Sequence, residues 1–181
     1  NLVKIYDDDY CCHNLSLTIK ILEEKAECKS FNLIKGGVFS RSETHVFLNG
    51  EESFVDFNGI YLSTEKQHHD FTSSIYHNVP NCKSAQKVRG VLNKHSSGVF
   101  QGKVKVAEKA QKTDASQMSK ALLLSDKASS NSKPELEIYA DDVVCSHGAT
   151  IGELDEDQFF YLLSRGLTKQ KAQFILIDAF L

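Results

Sequence analysis

A thiol and an imidazole stand two residues apart at Cys145 and His147, in a stretch (133–152) whose composition reads as strand. Side chains alternate across a strand, so these two leave from the same face. Four readings are open. Thiolate and imidazole are ligands that zinc and iron-sulfur chemistry use, but two ligands are only part of a set of four. As a Cys/His nucleophilic pair, the imidazole would lower the thiol pKa. Alternate strand side chains are rooted ~7 Å apart, however, which suits a shared ligand better than a short hydrogen bond. No oxyanion-hole glycine motif accompanies them. The cysteine can also pack as a small hydrophobe, or the pair can be exposed without a role.

Other clusters converge less well. Cys11, Cys12 and His13 are consecutive, so on a strand they diverge unless a turn or bulge gathers them. Gln67, His68, His69 and Asp70 offer two imidazoles and a carboxylate, but again as neighbours, and the expected setting is a solvated turn between strands. His77, Cys82 and His95 are scattered, and Asp141 and Asp142, read as successive strand residues, diverge. No phosphate loop, Walker motif or dinucleotide fingerprint is present.

The elements that must position these groups read mainly as β up to about residue 151. The segment 15–21 puts Leu15, Leu17, Ile19 and Ile21 on one face. The segments 45–48 and 53–62, joined through an Asn49-Gly50 turn, continue the pattern, as do 99–106 and 136–139. Two prolines in 181 residues suit long runs of stacked strands. After Gly152 the period changes to helical: acids open a first helix, Gly166 ends it, and Thr168 caps a second with Ala172, Ile175, Leu176 and Ala179 at helical spacing. Periodicity alone leaves sandwich, barrel and irregular solenoid open.

The bulk numbers exclude several classes. A chain 41% hydrophobic and 25% charged supports one globular core. A formal charge of -3 leaves no electrostatic footprint for nucleic acid or an anionic membrane. Five cysteines, an odd number, argue for reduced thiols rather than a disulfide scaffold. No apolar run approaches the ~20 residues of a membrane span. Asn1 at the start, Met118 as the sole methionine and an apolar pattern running to Leu181 predict a piece of a longer chain.

The Cys145-Ser146-His147-Gly148-Ala149-Thr150 element, with the segment 159–166 after it, resembles the C-terminal core of the SufB/SufD family of iron-sulfur cluster assembly proteins, in the SufD form. A second block carries the resemblance: Lys112-Thr113-Asp114-Ala115-Ser116-Gln117 leads into a Leu-Leu-Leu strand, with Ala121 where asparagine is usual. Asp141 and Asp142 also match. Where SufB has a Glu-His element this chain has Cys-Ser-His. The resemblance is strong over 67–181 and rests on strand character alone over 2–63.

The resemblance implies a right-handed parallel β-helix at 1–152, truncated on its N-terminal side, and an incomplete helical segment at 153–181. It also implies a non-catalytic SufD-like subunit of a SufBCD complex, in which Cys145 and His147 supply part of a metal site. Iron, or a transient iron-sulfur cluster shared with SufB, would be held there, and nothing tightly by the isolated chain. The expected partners are a SufB-like paralogue along the β-helix and a SufC-like ABC-type ATPase on the C-terminal helices, with a homodimer when the chain is alone. Neither nucleic acid nor membrane is expected as a partner. The expected compartment is the bacterial cytoplasm or the plastid stroma. A Cys-nucleophile enzyme and an inert structural or dimerisation solenoid are the rival readings.

Overall fold

The computed structural model describes residues 1–181. Eleven strands precede two helices: β1 (Leu2–Asp8), β2 (His13–Leu22), β3 (Glu27–Gly36), β4 (Phe39–Leu48), β5 (Phe54–Ser63), β6 (His68–His77), β7 (Lys83–Leu92), β8 (Ser97–Val106), β9 (Asp114–Leu123), β10 (Ser129–Ile138), β11 (Val144–Glu153), α1 (Glu156–Ser164) and α2 (Lys169–Phe180). Odd strands form one sheet in the order β1-β3-β5-β7-β9-β11, and even strands form the other, β10-β8-β6-β4-β2. Every pairing is parallel.

The chain therefore winds as a flattened parallel β-solenoid of about five coils, each contributing one strand to each sheet. Successive coils advance by 26, 29, 29 and 32 residues, as Leu15 pairs Arg41, Arg41 pairs Asp70, Asp70 pairs Val99 and Val99 pairs Asn131. This irregular advance is why no fixed repeat is readable. No helix is long and apolar enough to cross a membrane.

The core lies between the two sheets. Val55, Phe57 and Tyr61 of β5, Val88 and Leu92 of β7, Phe71 and Ile75 of β6 and Phe100 and Val104 of β8 are buried there. Each such side chain withdrawn from water contributes on the order of 2 kcal/mol. Polar residues share the interior: Ser40, Ser42, Thr44, Ser73, Ser84, Gln86 and Gln117 are all buried. The first coil reverses the usual arrangement. Leu15, Leu17, Ile19 and Ile21 do share one face of β2, but that face turns outward, with Leu15 75% exposed. The inner side of this coil is polar, with Tyr6 and Ser16 hydrogen-bonded at 2.7 Å and Lys20 donating to Ser30 at 2.6 Å.

Coil corners use left-handed residues that are not glycine. Lys25, Asn81 and Lys112 have φ of 57°, 62° and 61°. Their amides are held by the next coil, Lys25 N donating to Glu51 O, Asn81 N to Gln111 O and Lys112 N to Asp142 O. The conformation costs roughly 1 kcal/mol per residue, and stacking offsets it. Pro134 lies in β10, the terminal strand of its sheet, where a missing amide is tolerated.

The helices begin and end where their caps require. Asp155 accepts from Gln158 N at 2.9 Å, Thr168 accepts from Lys171 N at 3.3 Å, and Gly166 takes φ +86° between them. They pack beside Leu122 and Arg89 of the odd-strand sheet. Arg89 donates to Leu181 O at 2.5 Å and lies 6.0 Å from the Phe180 ring centroid.

Candidate functional site

Cys145 and His147 occupy alternate positions of β11, the last strand of its sheet. In the parallel register Cys145 pairs Ala115 and His147 pairs Gln117. Both partners point into the interior, each 2% exposed. The thiol and imidazole therefore continue two inward-facing rows to the open end of the solenoid. Within residues 1–181 no further strand pairs with the outer edge of β11.

The two groups differ in setting. Cys145 is half-buried and packs against the core, while His147 is exposed. Burial pushes the Cys145 thiol up from its ordinary pKa; a backbone hydrogen bond from Ala115 opposes this, and the Asp114 carboxylate adds to it. A thiol so placed keeps its proton at neutral pH. Beside His147, and not lined by Cys145, is a concavity of about 430 Å³, whose lining includes Gln86, Gln117, Met118, Lys120, Ser146 and His147. No group of three or more His, Cys, Asp or Glu side chains converges anywhere in the chain. The pair thus has ligand chemistry without a complete ligand set.

The other clusters resolve as structure. Cys11 and Cys12 lie in the turn between β1 and β2, one exposed and one half-buried, and His13 opens β2. The turn expected at 67–70 is instead the start of β6, because the solenoid interior accepts polar groups that find partners. His69 is buried, its Nδ1 2.8 Å from Ser63 Oγ and its Nε2 2.8 Å from Gly36 O. His68 faces out, stacks on Phe39 at 5.5 Å and pairs with Ser97 Oγ at 2.7 Å. Asp70 reaches Arg41 at 3.4 Å. Burial lowers the pKa of His69 and pushes that of His77 down to about 4.

Cys82 is buried, with its sulfur 3.3 Å from Ser53 Oγ and from Gly50 O, and His95 is exposed in the β7–β8 turn. Asp141 and Asp142 lie in the turn before β11 rather than on a strand, so strand alternation does not apply to them. Asp142 pairs with Lys112 of the preceding coil. Asp114 opens β9 in an exposed position, and Thr113 ties the turn before it by donating to Ala110 O at 2.8 Å.

The motif beginning at Lys112 also carries a residue that reading it as purely structural passes over. Gln117, its last member, sits in register beside His147 with its amide oxygen buried and unpartnered. Only the register of β9 with β11 reveals this.

Fold and site together define a parallel β-solenoid that ends in an open strand bearing an incomplete thiol and imidazole pair, with a two-helix segment behind it. Residues 1–180 match the family model described as SUF system FeS cluster assembly, SufBD core domain, and the chain belongs to that family. It is 36% identical to the iron-sulfur cluster assembly protein SufD of Escherichia coli (strain K12), over 98% of this chain and 42% of that protein. It is 41% identical to the SufBD family protein slr0076 of Synechocystis, over 80% of this chain and 32% of the relative. Against protein ABCI7, chloroplastic, of Arabidopsis thaliana, identity is 38% over 87% of this chain and 34% of the relative. The chain spans less than half the length of these curated relatives. The family match agrees with the resemblance read from its motifs.

Proposed function

We propose that this chain is the core of a SufD-type, non-catalytic subunit of a SufBCD complex. In this reading Cys145 and His147 supply half of a ligand set that a SufB-like paralogue completes. One observation carries the reading: the two ligand atoms stand on one face of an uncovered terminal strand, with no third ligand of this chain beside them. Iron, or a cluster in assembly, is the cargo rather than a resident cofactor, and the isolated chain holds it weakly.

The chemistry of the chain's own groups supports that role. The desolvated thiol keeps its proton until a cation arrives, so loading at Cys145 releases a proton. The same raised thiol weighs against a Cys-nucleophile enzyme, which needs the thiolate at neutral pH. Strand β11 offers an unpaired edge for the paralogue, and two copies of the chain alone would pair through it as a homodimer.

The ABC-type ATPase SufC would dock on α1 and α2, where Phe160, Tyr161 and Phe174 are exposed. Its nucleotide states can shift the paralogue interface only by binding the two arrangements unequally. The compartment proposed is the bacterial cytoplasm, or the plastid stroma for a plant chain.

The test is His147→Ala in the full-length protein assembled with its paralogue and ATPase. Assembly should persist while iron and cluster content fall several-fold. Unchanged iron content together with unchanged cluster-building activity would return the pair to mere packing.

A further inference from the structure

A file of buried side-chain amides runs along the inner face of the odd-strand sheet toward the site. Gln86 and Gln117 are paired in register on β7 and β9, 1% and 2% exposed. Gln86 Nε2 donates to Ser73 Oγ, and Gln117 Nε2 donates to Gln86 Oε1 at 2.9 Å. The file has a polarity: amide nitrogens point toward the middle coils and amide oxygens toward the open end.

Room for this file is made on the opposite sheet. A Cβ at Gly102 of β8 would lie 1.9 Å from Gln117 Nε2, so only glycine there leaves the amide its place.

The last acceptor is unused. Gln117 Oε1 is buried with no hydrogen-bond partner, and a buried orphan acceptor is destabilising. The next side chain along the same row is His147, on a strand ~4.8 Å away. The inner face of β11 carries Cys145, His147, Ala149 and Ile151. Of these, only the imidazole has an N–H to give, the thiol being a weak donor.

We infer that Gln117 is a positioning residue for His147: its amide oxygen takes the hydrogen bond from the protonated ring nitrogen, fixing the tautomer and aiming the other nitrogen's lone pair at the open end. In this structure His147 is exposed and makes no bond to that oxygen, so the ring must turn toward it, and the hydrogen bond is inferred from the register of the row and from the unpartnered acceptor. Its consequence for metal capture rests on the ligand reading above. A histidine that binds metal through one nitrogen and donates from the other to a carbonyl is held in orientation and made more basic.

The experiment is nitrogen NMR of the full-length protein, labelled with 15N-histidine and assigned with His147→Ala, at a pH where the imidazole is neutral. In the wild type one His147 ring nitrogen should carry the proton almost exclusively. Gln117→Leu should relax the two shifts toward the averaged values of a solvated imidazole. Gln117→Glu, which keeps an acceptor in the same place, should retain a single tautomer.

Averaged shifts in the wild-type protein overturn the inference even if no variant folds, and so do unchanged shifts in Gln117→Leu. In the assembled complex Gln117→Leu should weaken iron retention about 10-fold, the low end of such outer-shell effects. Iron content that ignores His147→Ala would remove the ligand reading, while the ring shifts would still decide the hydrogen bond.

Discussion

Phe57 and Phe71 meet across the interior with ring centroids 5.6 Å apart and planes inclined at 43°. Phe57 lies between Ser30 and Gln86 in its row, so the aromatic pair separates the polar first coils from the amide file that leads to His147. Both rings are fully buried. Truncation of either leaves a cavity that stacked strands cannot close by local collapse. Phe71→Ala should cost about 3–5 kcal/mol in urea unfolding. A loss under about 1 kcal/mol would mean that the coils repack around the gap.

The buried imidazole of His77 sets an acid limit on the fold. It sits 2.8 Å from Ser84 Oγ with Nδ1 unpartnered, and burial brings its pKa from 6.5 to about 4. The folded state therefore disfavours the proton. Well above pH 6.5 the residue is neutral in both states and has no effect on stability. As pH falls from there to about 4 the unfolded chain gains the proton first, and stability drops by up to about 3 kcal/mol. Urea midpoints at pH 7 and pH 4.5 should differ less in His77→Gln than in the wild type. Parallel shifts in both proteins would assign the acid sensitivity to other groups.

Much of this fold is legible because strands and helix ends leave local marks. The alternation at Leu15 to Ile21, the Asn49-Gly50 turn and the caps at Thr168 and Gly166 all lie where local chemistry puts them. The inward face is not legible, since β2 turns Leu15, Leu17, Ile19 and Ile21 outward and its Ser16 and Thr18 inward. Polar residues such as Ser73 and Gln86 look like surface until stacking supplies their partners. The run 67–70 resembles a turn for the same reason. Cys145 and His147 announce themselves by spacing, whereas Gln117 is tied to them only by a 30-residue register offset between strands.

The raised thiol of Cys145 predicts slow alkylation. At pH 7 in the isolated protein, iodoacetamide should modify the half-buried Cys145 more slowly than the exposed Cys11, since the thiolate is the reacting form and burial disfavours it at Cys145. The rate should still be climbing above the ordinary thiol range. Peptide mapping of the time course checks this. Modification of Cys145 faster than Cys11 would point instead to an activated nucleophile and revive the enzymatic reading.

The C-terminal helices supply the sharpest test of partner choice. Phe160, Tyr161 and Phe174 are 71%, 56% and 67% exposed, while only Ala172 of α2 is fully buried. Exposed aromatics of this kind add little to folding stability, typically within about 0.5 kcal/mol. As anchors in a partner's pocket each is worth more than about 1 kcal/mol. Deleting 168–181 would also strip Phe180 from Arg89, so point substitution is the cleaner probe. Phe160→Ala with Phe174→Ala should leave the melting temperature nearly unchanged and keep pairing with the SufB-like paralogue. Binding of the SufC-like ATPase, read by calorimetry or co-purification, should fall at least about 10-fold. ATPase binding that survives both substitutions would put the docking surface elsewhere, and loss of both partners together would make the helices part of the core.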